Sequence, residues 1–195
     1  HYVRIKDVLG PALVAEPSNL VHDLKLVKSP RELAFIREAG RIADRAMEAC
    51  TGALAEGRTE LEVCAAVYHA LLNGGSGLPA STLNLVMGDR AHFAHGAPTA
   101  RPMRRGDFGN IEFGAAYRRY TVTIGRQLCL GAPTPRMREL YDVVRRASDA
   151  CIAAIRSGVP AVAPHEAAKR VIADAGFDRY RIHTTGYGLA PGFPP

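Results

Sequence analysis

The sequence predicts an α+β fold in which paired helices flank an antiparallel sheet, and three observations carry that reading. Two helix starts, at Ser29-Pro30-Arg31-Glu32 and at Thr59-Glu60-Leu61-Glu62, each place an N-cap hydroxyl three residues before a Glu, the pattern of a capping box. Between Leu78 and Leu130 the texture changes to short strand-like runs rich in β-branched and aromatic residues. Finally, Gly57 to Gly75 and Gly158 to Gly176 have identical spacing, and each pair brackets one helix preceded by a longer one. The first helix pair is followed by a multistranded segment, the second only by residues 179–183 and Gly-rich sequence. One helix-helix-sheet unit and the beginning of a second are therefore expected, with the second half truncated.

The elements follow in order. Residues 1–28 mix short apolar runs with Gly10-Pro11 and Pro17-Ser18, and read as a linker or the tail of a further domain. From Ser29 as N-cap, Leu33, Ile36, Ala43, Met47, Cys50 and Leu54 recur at helical spacing to about Ala55. Thr59 opens a second helix whose apolar face is Val63, Val67, Ala70 and Leu71, stopped by Gly74-Gly75. Strands are expected at residues 81–87, 107–113, 117–124 and 127–130. Thr134-Pro135 opens a third helix with Leu140, Tyr141, Val144, Ala147, Cys151 and Ile155 on one face, ended by Gly158. Pro164 opens a fourth, with Ala168, Val171 and Ile172, ended by Gly176.

Composition narrows the function. In 195 residues, 47% hydrophobic and 23% charged, there is material for one sizeable core rather than a disordered chain. No apolar run reaches the roughly 20 residues needed to span a bilayer, and the start of the chain has no secretion-signal pattern. Cys50, Cys64, Cys129 and Cys151 have no ligand spacing and read as reduced packing residues, which fits a cytoplasmic location. The formal net charge of +6 permits an anionic partner. The basic residues come as scattered pairs without aromatic interleaving, however, so nucleic acid is not the expected partner.

Chemistry concentrates between His92 and Arg126. His95 sits on a loop between Phe93-Ala94 and Gly96-Ala97-Pro98. Imidazole, with a reference pKa near 6.5, can take a proton from water and return it to a leaving nitrogen. Its alternative is a His satisfied by backbone in a turn. Glu112 lies between Ile111 and Phe113, which strand alternation sends to the opposite face. It reads as an orienting carboxylate for His95, a recognition group for a cationic substrate, or an exposed strand Glu. Arg126 could hold a substrate carboxylate by a bidentate pair or close a surface ion pair. His92 and His183 read as surface or structural residues.

The run LVKSPRELAFIREAGRIAD and the segment from Gly106 to Arg126, with Glu112-Phe113-Gly114, Tyr120 and Arg126, resemble the pita-bread hydrolases: creatinase, aminopeptidase P, prolidase and methionine aminopeptidase. The resemblance covers the chain from about Leu26 onward. It implies two pseudo-symmetric α+β halves curving one antiparallel sheet, with residues 29–131 as the first half and 132–195 the start of the second. The metallopeptidases among these proteins hold two divalent ions with two Asp of the first sheet and a His and two Glu of the second half. In register, Glu112 stands at the first Asp position, Thr123 at the second and Leu189 at the His position, so the ligand set is degenerate and no metal is expected. Divalent Mn, Zn or Co enters only under a peptidase reading.

His95 matches the acid–base His of creatinase, and Tyr120 and Arg126 are implied to face the same pocket. Gly186-Tyr187-Gly188 is similar to creatinase's Gly-Tyr-Gly, which makes Tyr187 a substrate-binding candidate. Gly125 stands where creatinase has a carboxylate for the guanidinium, and the run GYGLAPGFPP resembles ectoine hydrolases. The expected activity is therefore metal-independent hydrolysis of a C–N bond in a small amidine, amide or N-acyl amino acid. The alternatives are an Xaa-Pro aminopeptidase or dipeptidase with metal, and a non-catalytic peptide-binding module. A small-molecule substrate and a homodimer are implied by the resemblance.

Overall fold

The structure, a computed structural model, describes residues 2–13, 20–77, 82–93 and 95–189. Helix α1 (Tyr2–Leu9), a 3-10 turn at Gly10–Ala12 and α2 (Leu20–Leu26) precede the main body. They leave Val3, Val8, Val21 and Leu24 exposed. Pro17-Ser18 lies outside the described residues.

Helices α3 (Pro30–Ala53) and α4 (Glu60–Asn73) begin where their capping boxes place them. Ser29 N–H donates to Glu32 Oε2 at 2.6 Å and Glu32 N–H to Ser29 Oγ at 3.3 Å. Thr59 and Glu62 repeat this exchange at 2.7 and 3.2 Å. Each cap contributes about 1 kcal/mol. Helices α5 (Pro135–Ala154) and α6 (Val162–Asp174) form the second pair. Here Pro164 falls inside the first turn of α6 rather than at its start, a position where its missing N–H costs no helical bond.

The sequence repeat is a structural repeat. The N-caps Ser29 and Thr134 have φ/ψ of −65/162° and −65/160°, and the C-caps Leu54 and Ile155 have ψ of 112° and 113°. Gly57, Gly75, Gly158 and Gly176 all lie at positive φ, between 78° and 88°, the left-handed region where a side chain is strained.

Three antiparallel strands, β1 (Asn84–Met87), β2 (Phe108–Tyr117) and β3 (Tyr120–Cys129), form one sheet in the order β1-β2-β3. The strand expected from residue 81 begins at Asn84, Ser81 being outside the described residues. The runs expected at 117–124 and 127–130 are one strand, because Gly125 keeps its place in the ladder opposite Glu112. The β2–β3 turn falls at Arg118-Arg119, with φ of 49° and 75°. Two positive φ values suit the twist of a two-residue hairpin, but each costs a non-Gly residue about 1–2 kcal/mol.

The core lies between one face of this sheet and the α3–α4 pair. Ile42, Val63, Val67 and Leu71 of the helices meet Leu85, Met87, Ile111, Phe113 and Ala115 of the strands. Cys50 and Cys64 belong to it as free thiols, pushed up to about 12 by burial and so kept protonated and inert. Against expectation, the α5 stripe is mostly exposed: Val144 is 60% and Ile155 63% accessible, while Val143 and Ala147 are buried. The sheet packs on α3, whereas α5 meets chiefly α6, so only its α6-facing edge is covered.

Gly109 is required where it pairs with Met87 at the end of β1, because a Cβ there would overlap the Val86 carbonyl oxygen and Met87. Gly109→Ala is expected to destabilise the fold by about 2–3 kcal/mol in urea unfolding, as overpacking does. Gly125→Ala, whose Cβ would meet Ile111 O no closer than 3.9 Å, should be close to neutral.

Candidate active site

Strand alternation sorts the candidate residues onto two faces. Ile111 pairs with Arg126, Phe113 with Ile124 and Tyr117 with Tyr120, all on the face turned toward α3 and α4. Glu112 pairs with Gly125 and with Asn84, and Thr123 pairs with Gly114, on the opposite face. Glu112 and Thr123 are thus diagonal neighbours, each opposite a Gly on the partner strand.

Two expectations are corrected by this parity. Tyr120 does not face the pocket of His95: its hydroxyl donates to Glu32 Oε1 at 2.7 Å and its ring packs 5.7 Å from that of Phe35. Arg126 likewise turns toward α3, lining a hollow with Asp44, Met47, Glu48 and Thr51. Both lie three residues from Thr123 on β3, an odd offset that puts them on the face opposite Thr123 and Glu112.

His95 comes to Glu112. Its Nε2 lies 3.4 Å from Glu112 Oε2, with the His side chain 61% exposed and the Glu 27%. A pair this wet contributes at most about 1 kcal/mol to stability, so its geometry matters for chemistry rather than folding. A carboxylate at Nε2 holds the neutral ring's proton there and leaves the Nδ1 lone pair for a proton from water. Thr123 Oγ1 is buried on the same face and has no hydrogen-bond partner among the described residues.

The loop that presents His95 is held from below by a residue the sequence analysis treated only as part of a helix start. Glu60 is fully buried at the first turn of α4. Its Oε1 accepts from Met87 N–H at 2.9 Å; its Oε2 accepts from Arg90 Nη1 at 2.7 Å and from both N–H and Oγ1–H of Thr99 at 2.8 Å. Arg90 also donates to the Ala97 carbonyl at 2.7 Å. Both ends of residues 88–99 are therefore tied to one carboxylate, and Gly96 is pressed so closely on Val86 that no Cβ would fit. The signal was available: Glu60 precedes Val63, Cys64, Val67 and Leu71 at helical spacing, on the apolar face, while Glu62 alone closes the capping box. A second clamp, Arg101 to Asp107 at 2.7 and 3.1 Å, fixes the loop's exit into β2. The Arg101 guanidinium, with the Arg104 N–H, holds the Asp107 carboxyl below its usual range.

Leu189 and Tyr187 lie beyond α6, on a segment fixed to that helix. Arg181 Nη2 donates to Thr185 Oγ1 at 2.6 Å, and Thr185 Oγ1 is 2.9 Å from His165 Nδ1. Tyr187 is exposed, and residues 190–195 lie outside the described residues. Among the described residues no group of three His, Cys, Asp or Glu side chains could hold a metal ion, and no helix is long and apolar enough to cross a membrane.

Glu60→Gln is expected to cost about 3 kcal/mol in urea unfolding, since it leaves Arg90 without its carboxylate in a buried site. A second expectation concerns acid. Ser29 N–H, the Tyr120 hydroxyl and the Ser29 side chain hold the Glu32 carboxyl at about 2, below its ordinary 4.5. A folded value below the unfolded one gives stability that is present above pH 4.5 and lost as pH falls toward 2. Glu32→Gln should therefore flatten the fall of the unfolding midpoint across that window.

Comparison with known proteins agrees with this architecture. The profile of metallopeptidase family M24 matches residues 34–194. An Xaa-Pro dipeptidase of Pyrococcus furiosus is 31% identical over 171 residues, covering 88% of this chain and 49% of that protein. The solved prolidase of Pyrococcus horikoshii superposes with a TM-score of 0.92 at 28% identity, over 100% of this chain and 58% of that one. The X-Pro aminopeptidase of Thermotoga maritima gives 0.87 at 25% identity, over 98% and 54%. The chain spans about half the length of the relatives it matches. A helix pair on an antiparallel sheet, followed by a second helix pair, is the pita-bread fold truncated relative to these full-length proteins, and the chain belongs to metallopeptidase family M24.

Proposed function

We propose that this chain contributes to a hydrolase acting on the C–N bond of small peptides of the Xaa-Pro type. The named relatives support the peptide class: they are Xaa-Pro dipeptidases, prolidases and an X-Pro aminopeptidase. The expectation of a creatinase-like or ectoine hydrolase-like substrate has no support among those names and becomes the second reading. The observation that carries hydrolysis is the His95–Glu112 pair, 3.4 Å apart, on the sheet face that also carries the Thr123 hydroxyl, which has no hydrogen-bond partner among the described residues.

The family's name implies a metal, and the donors present here do not fit a centre built by these residues. On the face that would hold it stand one carboxylate, one imidazole and one neutral hydroxyl, and Thr is a poor ligand for a divalent ion. The remaining work falls to the chain's own groups. His95 takes a proton from the attacking water and returns it to the departing nitrogen, and Glu112 steadies the ring as its charge changes. Thr123 Oγ1 is placed to hydrogen-bond a polar atom of a bound substrate. This donor set favours the second reading, metal-independent cleavage of a small amide or amidine.

The longest natural form of the protein, assayed on Xaa-Pro dipeptides and on small amides and amidines with and without EDTA, separates the two. Turnover of Xaa-Pro dipeptides supports the first reading, and EDTA-resistant turnover of amides alone supports the second. In either case His95→Ala should lower kcat about 100-fold or more with folding retained, as removal of a general acid–base does. Full activity in that variant would contradict the assignment of His95.

A further inference from the structure

We propose that the tip of the β2–β3 hairpin, together with the first turns of α3, is a docking surface for an acidic peptide segment of a partner protein. The first observation is backbone strain. Arg118 and Arg119 are the only non-Gly residues at positive φ among the described residues, at 49° and 75°, in a turn that Asn-Gly would fill without strain. Two consecutive residues in that region are uncommon, and such outliers gather where a side chain is needed for function.

The second observation is what the turn presents. The Arg118 guanidinium lies 5.9 Å from the ring centroids of both Phe35 and Tyr117, and that of Arg31 lies 5.7 Å from Phe35. Arg119 is exposed beside them, and Lys28 is close enough to act on Glu32. Among the described residues none of the three Arg has an ion-pair partner. The one acid in the cluster, Glu32, is already engaged by Ser29 at 2.6 Å and Tyr120 at 2.7 Å. The surface is therefore cationic, uncompensated and laid over an aromatic floor of Phe35, Tyr117 and Tyr120.

Chemistry selects the partner. Guanidinium planes held on aromatic rings keep their N–H edges outward in a fixed fork, the geometry that matches carboxylates in pairs. The aromatic floor suits the apolar stems of Glu side chains. A nucleic-acid footprint usually needs on the order of 6–10 phosphate contacts along a track, and four cations at one hairpin tip do not supply it.

The test uses the whole chain and a fluorescein-labelled hexaglutamate peptide, read by anisotropy at low salt, with an oligothymidylate as the competing probe. Arg118→Asn with Arg119→Gly, which relieves both strained residues, should weaken hexaglutamate binding about ten-fold or more while raising the thermal midpoint. Arg31→Gln, which leaves the turn intact, should weaken binding in the same direction. Unchanged binding in these variants overturns the proposal, as does preferential binding of oligothymidylate. A fall in the thermal midpoint of the double variant also overturns it, since the arginines would then be retained for the fold's own stability.

Discussion

The position of the His95 loop depends on one buried carboxylate. Glu60 is fully inaccessible and satisfies four hydrogen bonds at once, from Met87, Arg90 and two groups of Thr99. A buried charge is tolerated only when it is paired and bonded in this way, and removing one partner leaves the others exposed to the same penalty. That cost is what makes the arrangement specific. The loop carrying His95 cannot drift from the end of β1 without stranding a charge inside the protein.

Strand alternation then divides the sheet. One face is consumed by packing against α3 and α4, and takes Tyr120 and Arg126 with it. The other carries Asn84, Glu112 and Thr123 with His95 above them, and there the buried Thr123 hydroxyl has no hydrogen-bond partner among the described residues. A buried hydroxyl without a hydrogen bond costs about 1–3 kcal/mol, which a folded protein tolerates where a ligand can supply the missing bond. Fold and chemistry are thus apportioned by a single parity along β2 and β3.

Much of this was legible in the sequence because local signals and tertiary structure agreed. The capping boxes at Ser29 and Thr59 placed the starts of two helices to the residue, and the Gly57/Gly75 and Gly158/Gly176 spacing recurs in the backbone angles of those glycines. Where the reading failed, it substituted resemblance for alternation. Tyr120 and Arg126 are assigned to the pocket from family register, although each lies three residues, an odd offset, from Thr123 and so takes the opposite face of the sheet. The α5 stripe was read correctly as apolar, but periodicity says only which residues share a face, not whether anything lies against it. Glu60 was missed because a second acid in a helix's first turn looks like an addition to the cap. Arg90 and Thr99 gave no signal of their own, since their partner lies far away in sequence.

The central claim, that Glu60 holds the His95 loop to the core, is tested most directly by amide hydrogen exchange at Met87 and Thr99. Both N–H groups donate to Glu60, so the account predicts that they exchange slowly and in step with the core of α4. Fast exchange at Thr99 and Met87, at the rate of exposed loop amides, with the amides of α4 still protected, would contradict it.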